Sequence, residues 1–306
     1  MKSNPGLETL IGRIRMRNPV MVASGTFGYG PEYADVVDLN RLGAIVVKGI
    51  SMEPWEGNPP PRVVEVPGGL VNAIGLQNPG AEGFVSEYMP FLRKHDVPVI
   101  VNIWGRTVEE YAEVAARFDG VEGISGLELN ISCPNIKEGG IAFGTDPRSA
   151  AKVISAVRKA TKLTLIPKLS PNVPDITLFA KTAEDSGADA ISLINSIPAM
   201  VIDIKTRRPA LANVTGGLTG RAIHPVAIRL VWQAAKVVKI PIIGMGGITG
   251  PKEAVEFLLA GATAVAVGTA NFTDPSVTLN VIDGIAAYLT ENGFQDVKEI
   301  IGAVRT

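Results

Sequence analysis

Cysteine, histidine and net charge are nearly missing from this sequence. Its 306 residues contain a single cysteine and two histidines, His95 and His224. One thiol cannot close an internal disulfide, so the fold needs no oxidising compartment and the thiol calls for its own explanation. Two histidines leave little with which to build a zinc site. Lysine and arginine number 29 against 30 aspartates and glutamates, a formal charge of -1. That balance removes the electrostatic footprint of a nucleic-acid or anionic-membrane binder, and neither partner is expected. No stretch reaches the roughly 18 apolar residues of a spanning helix, and Arg13, Arg15 and Arg17 interrupt the region where a secretory signal would carry its apolar core. A cytoplasmic protein is the expectation.

Apolar residues are plentiful, at 46%, enough for a large buried core. Short β-branched runs alternate with amphipathic stretches, the pattern of repeated βα units. Eight runs can be counted: Pro19 to Ser24, Ala44 to Lys48, Pro98 to Asn102, Gly126 to Asn130, Leu163 to Lys168, Ala190 to Ile194, Pro241 to Gly244 and Ala264 to Gly268. Most are near-continuously apolar, as in parallel strands covered by helices. Asp146-Pro147 predicts a helix start ahead of Arg148 to Thr161, Asp175 to Asp185 has an apolar helical face, Thr249-Gly250-Pro251 opens another helix, and Val277 to Asn292 a last one. The expected fold class is α/β: a single (β/α)8 TIM barrel over residues 1–306, with a doubly wound open sheet as the alternative. Elaborated loops are expected after strands 2, 4 and 6, since Gly49 to Asp96 and Ser196 to Gly220 are too long for plain crossovers.

In such barrels the chemistry lies at the C-terminal ends of the strands. Ser24, Lys48, Asn102, Asn130 and Lys168 end the first five runs, and Asn195 follows the sixth. The seventh and eighth end in Gly246-Gly247 and Gly268-Thr269. Glycine lets backbone N–H groups approach a ligand closely, and the loops after strands 7 and 8 are the recurring phosphate position of this fold. The neutral amides Asn72, Asn102, Asn130 and Asn195, with Asn78 a weaker candidate, suit a planar ligand carrying imide N–H donors and carbonyl acceptors. Any carboxylate on that ligand would look to Lys48 and to backbone N–H groups.

The lone thiol, Cys133, sits in Asn130-Ile131-Ser132-Cys133-Pro134-Asn135. An isolated cysteine is usually a buried small hydrophobe, but polar neighbours and a rigid proline suit a working thiol. With no histidine nearby in sequence, a general base taking a proton from carbon fits better than a Cys-His hydrolase. Lys168 could be an ion-pair member, a Schiff-base nucleophile, or the ammonium that compensates a reduced flavin.

Asn72-Ala73-Ile74-Gly75-Leu76-Gln77-Asn78, the Cys133 loop, and Gly246-Gly247 with Gly268-Thr269 together resemble the class 1 dihydroorotate dehydrogenases, in particular the class 1B catalytic subunits. The resemblance runs from about Asn18 to the C-terminus. It implies an FMN-containing barrel, one FMN per chain, that oxidises (S)-dihydroorotate to orotate in pyrimidine biosynthesis. FMN would be held by Ser24, Lys48, Gly49, Asn102, Asn130, Lys168, Ile194, Gly220, Gly246, Gly247, Gly268 and Thr269. Substrate would meet Lys48, Asn72, Ala73, Ile74, Gly75, Leu76, Asn130, Asn195 and Ser196. Cys133 would remove the C5 proton while hydride leaves C6 for flavin N5, with Lys168 as the second catalytic residue. A free thiol titrates near pH 8.5, so a rate limited by this step should rise toward alkaline pH. The resemblance further implies a homodimer core within a heterotetramer whose second subunit carries FAD and a 2Fe-2S cluster and reduces NAD.

Two positions depart from the family pattern: Ser196 stands where threonine is frequent, and Arg221 follows Gly220 where a smaller residue or proline is common. A dihydropyrimidine dehydrogenase-like barrel would use the same thiol and amides on a ring without a carboxylate. A Schiff-base aldolase would use Lys168 covalently and need no flavin, and a non-catalytic scaffold would have no use for polar strand ends.

Overall fold

A computed structural model describes residues 5–131 and 140–305, so Cys133 lies outside the described residues. The strands that build the barrel are β1 (Val20–Val22), β2 (Ala44–Ile50), β3 (Val99–Ile103), β4 (Ile124–Leu129), β5 (Thr164–Pro167), β6 (Ile191–Leu193), β7 (Ile242–Met245) and β8 (Ala264–Val267). They form one eight-stranded sheet in the spatial order β6-β7-β8-β1-β2-β3-β4-β5, parallel at every pair. A parallel bridge between Lys168 and Ser192, with the Leu169 N–H donating to the Ser192 carbonyl at 2.8 Å, joins β5 to β6 and closes the barrel. The (β/α)8 expectation is met, and the open-sheet alternative falls with that closure.

Among the described residues six long helices cover the outside: α1 (Val108–Phe118), α2 (Pro147–Ala160), α3 (Ile176–Asp185), α4 (His224–Ala235), α5 (Pro251–Ala260) and α6 (Val277–Asn292). Their starts follow the expected capping chemistry. Asp146 accepts from the N–H groups of Arg148 and Ser149 with Pro147 in the first turn, and Asp175 accepts from Thr177 N–H. Gly261 ends α5 in the left-handed region at φ 115°. Between β1 and β2 the chain makes only 3₁₀ turns, Pro31–Tyr33 and Leu39–Arg41.

Side-chain alternation sorts the apolar residues into two bodies. Outward-facing Val22, Val47, Val101, Leu127, Leu165 and Leu193 join the helices in the large core. Inward-facing Met21, Val46, Ile100, Ile166, Ile243 and Ala264 fill the barrel, together with Ile11, Ile14 and Met16. Those last three come from an antiparallel hairpin, Thr9–Ile11 with Ile14–Met16, which plugs the barrel at the N-terminal ends of the strands. Its two three-residue strands are too short to carry a legible period.

The long connections after strands 2 and 6 build one structure together, and much of the loop expected to be elaborated after strand 4 lies outside the described residues. Val63–Val66 and Gly69–Asn72 from the first pair with Thr215–Thr219 and Ile197–Met200 from the second in a four-stranded antiparallel sheet. Asn72 stands opposite Gly217. A small apolar cluster of Val71, Ala73 and Leu211 lies beneath it.

Candidate active site

The C-terminal strand ends and the accessory sheet enclose a cavity of about 690 Å³. Strand geometry decides what faces it. Successive side chains alternate, so Gly126, Glu128 and Asn130 share the inward face of β4 and its extension, as do Ile100 with Asn102 and Ile166 with Lys168. Ile100 and Ile166 belong to the apolar filling, and Asn102, Asn130 and Lys168 end up on the cavity floor. Ser24, Lys48, Gly49, Asn102, Asn130, Lys168, Ile194, Gly220, Gly246, Gly247, Gly268 and Thr269 all line this one cavity, together with Asn72, Ile74, Gly75, Leu76, Asn195 and Ser196.

One nominated residue stands apart. Ala73 is fully buried against Val71 and Leu211, off the cavity wall, with its N–H donating to the Arg62 carbonyl at 2.8 Å. Strand alternation is the cause, because Asn72 faces the cavity and the next residue must face away. Cys133 lies outside the described residues. Asn78, the weaker amide candidate, spends its hydrogen bonds inside its own loop: Oδ1 accepts from the N–H groups of Ser51 and Gly80, and Nδ2 donates to Leu76 O at 2.8 Å.

Beneath the floor lies a residue the sequence reading passed over. Glu128, 2% exposed, accepts from Asn102 Nδ2 at 2.6 Å, from Ser24 Oγ at 3.0 Å and from Ser192 Oγ at 2.8 Å. Lys168 Nζ is 3.7 Å away and donates to Ser24 Oγ at 3.2 Å. A charge this deep needs pairing and full hydrogen bonding, and here both are met. A carboxylate can only accept, so it also orients what surrounds it. Asn195 Nδ2 donates to Asn130 Oδ1 at 3.4 Å, Asn130 Nδ2 approaches Asn102 Oδ1 at 3.5 Å, and Asn102 Nδ2 ends the series on Glu128. The amides therefore present fixed donor and acceptor edges to the cavity. The signal was present in the sequence as one acid inside the apolar run from Ile124 to Leu129, but it sits two residues before the strand end where attention falls.

The ammonium of Lys168, held against a buried carboxylate, is arranged as a fixed positive charge. A Schiff-base nucleophile must instead be an unprotonated amine, so the arrangement speaks against the aldolase alternative. Lys48 differs. Burial, with the nearby Arg62 guanidinium adding repulsion, pushes it below its ordinary value of 10.5, and Glu32 opposes the shift. Arg62, also missed in the sequence, lines the cavity and donates to Gln77 Oε1 at 3.0 Å. This wall is accordingly the cationic side of the site. Gly49 lets it close on the floor, since a Cβ there would stand 2.8 Å from Asn102 Oδ1.

At the opposite end β7 and β8 finish in glycine. Gly246 and Gly247 adopt φ 132° and 72°, where other residues are strained. Among the described residues no group accepts the Gly247 N–H. Gly268 leads straight into the 3₁₀ turn Thr269–Phe272, and α5 begins at Pro251 beside them. No cluster of three or more histidine, cysteine, aspartate or glutamate residues suited to a metal occurs among the described residues.

Comparison with known proteins decides what this geometry belongs to. The sequence model described as dihydroorotate dehydrogenase matches residues 6–289. The chain belongs to the dihydroorotate dehydrogenase family. It is thereby an oxidoreductase. A relative from Geotalea uraniireducens is 57% identical over 302 residues, covering 99% of both chains, and one from Geotalea daltonii is 56% identical over 303 residues with the same coverage. One from Thermoanaerobacter pseudethanolicus is 54% identical over 299 residues, 98% of this chain and 99% of its own. All three are called dihydroorotate dehydrogenase B (NAD(+)), catalytic subunit. The class 1B resemblance read from the motifs agrees with those names. Ser196 lines the cavity, and Asn195 Oδ1 accepts its N–H at 2.8 Å. Arg221 also lines the cavity, beside the Gly246–Gly247 end.

Proposed function

We propose that this chain is an FMN-dependent catalytic subunit that oxidises (S)-dihydroorotate to orotate, working as one barrel domain. The observation that carries the reading is the union, in one cavity, of a glycine-lined strand end fit for a phosphate with Lys168 and the Glu128-anchored amides. The cavity residues fit FMN by their donor set. The unaccepted Gly247 N–H and the Gly268–Thr269 turn suit its phosphate, while Lys168 and the amides of Asn102 and Asn130 suit the imide edge of its ring. Ser24, Lys48, Gly49, Ile194 and Gly220 complete the cofactor wall. When bound, FMN supplies the two-electron acceptor for the hydride that leaves substrate C6.

The chain's own residues do the rest. Lys48, with the backbone of Ile74 to Leu76, holds the substrate carboxylate, and Asn72, Asn130 and Asn195 take the ring's amide edges, with Ser196 beside them. Cys133 as thiolate removes the C5 proton, so that the C5–C6 double bond forms as hydride departs. Lys168 keeps a fixed positive charge beside the cofactor site, balanced in the resting protein by Glu128. A single cysteine cannot ligate a 2Fe-2S cluster, so passage of electrons to NAD needs a second subunit carrying that cluster and FAD, on a homodimer of this chain. The cytoplasm is the compartment this proposal assigns.

An anaerobic visible spectrum of the purified chain tests the reading. A flavin spectrum that bleaches with dihydroorotate and persists with dihydrouracil is expected. Bleaching by dihydrouracil alone would move the chain to the dihydropyrimidine reading, and a chain that cannot be loaded with FMN would overturn the proposal. Cys133→Ala should keep its flavin and lose about 10²- to 10⁴-fold in turnover, the usual worth of a positioned base.

A further inference from the structure

His224 lies outside the cavity wall and has no part in the chemistry above, yet one ring nitrogen is tied to the glycine end and the other meets Glu256. It opens α4, is nearly buried, and its Nδ1 is 2.9 Å from the Gly246 carbonyl oxygen. A carbonyl can only accept, so Nδ1 carries the proton. On the other side of the ring, Nε2 is 2.6 Å from Glu256 Oε2 on α5. One imidazole thus joins the two helices that flank β7 to the loop leaving it.

The consequence follows from peptide geometry. The Gly246–Gly247 bond is trans, so the Gly247 N–H points opposite to the Gly246 carbonyl. Holding the carbonyl on His224, away from the cavity, aims the N–H into it, and no described group accepts that N–H. A peptide between two glycines can turn over at little cost, because both residues tolerate either sign of φ. Packing adds to the constraint, since a Cβ on Gly247 would stand 2.7 Å from His224 Cβ. We propose that His224, steadied by Glu256, is a positioning residue that locks this peptide with its N–H toward a phosphate, and so sets selectivity for a phosphorylated flavin. The inference rests on the FMN reading above.

The full chain, stripped of flavin, is titrated with FMN and separately with riboflavin, following the quenching of flavin fluorescence. His224→Leu removes both contacts, while His224→Asn keeps an N–H donor in the place of Nδ1. For His224→Leu the expected result is an affinity for FMN about tenfold weaker with riboflavin affinity unchanged, the size of effect that misdirecting one donor to a charged acceptor produces. His224→Asn should recover most of the FMN preference. Equal losses for the two flavins, or an unchanged ratio, would overturn the assignment, because a merely structural role would not distinguish them. Should His224→Leu fail to fold, His224→Gln, which carries its amide outward toward Glu256 and off the carbonyl, takes its place with the same expected split. A wild-type chain that binds neither flavin would instead overturn the FMN reading itself.

Discussion

Individual residues show how one buried acid organises a site. Four groups converge on Glu128, and Lys168 supplies the compensating charge. Removing the charge from one member of a buried pair leaves the other uncompensated, so Glu128→Gln is expected to lower stability by about 3–5 kcal/mol, read as a shift in urea midpoint. Flavin content should fall with it, because one of the two acceptor oxygens shared by Asn102, Ser24 and Ser192 becomes an NH2 donor and Lys168 loses its counter-charge. Lys48 gives a pH signature. Its folded value lies below the ordinary 10.5, chiefly through burial, and a bound carboxylate favours its charged form. Affinity for orotate should therefore be full at low pH and decline as pH rises through the lowered value, beginning below 10.5. Lys48→Ala should flatten that decline, and an unchanged profile would remove the carboxylate role. The rate, if Cys133 is the base, runs the other way, rising as the thiol ionises. Lys48 and Lys168 were legible as strand-end polar residues. Glu128 was not, since a strand-end search looks at the last position and not at the one two residues below.

At the scale of elements, helices announced themselves through caps and the accessory sheet did not. Asp146, Pro147, Asp175 and Gly261 act within a turn of where they stand, so local sequence is enough to place α2, α3 and α5. The pairing of Gly69–Asn72 with Thr215–Thr219 joins segments about 145 residues apart, and no local pattern records it. Gly216 marks the contact, for a Cβ there would stand 2.6 Å from the Asn72 carbonyl oxygen. Gly216→Val is expected to separate the two insertions, raising KM for dihydroorotate while flavin content stays near wild type. The N-terminal hairpin makes a contrasting prediction. Ile11 is fully buried in the barrel interior, so Ile11→Ala should cost about 2–5 kcal/mol in urea unfolding with KM unchanged, because the plug lies at the end opposite the cavity.

For the whole molecule, the cavity is lined by strand ends from all round the barrel, so a ligand held there is a clasp on the folded state. Free FMN at about 100 times its dissociation constant should add about 2.7 kcal/mol of stability, and thermal denaturation should show flavin-free protein melting below the loaded form. Equal melting temperatures would mean that the cavity does not hold FMN. The sequence alone determined a parallel βα architecture, because parallel strands covered by helices must read as apolar runs alternating with amphipathic ones, and it determined the polar strand ends and the glycine loops by their order along the chain. Only the tertiary structure decided which polar groups meet. Closure of the sheet between Lys168 and Ser192 brings β1, β3, β4, β5 and β6 around Glu128, and the long insertions find each other over its mouth. Such contacts depend on distances in space between residues remote in sequence, and a one-dimensional pattern does not contain them.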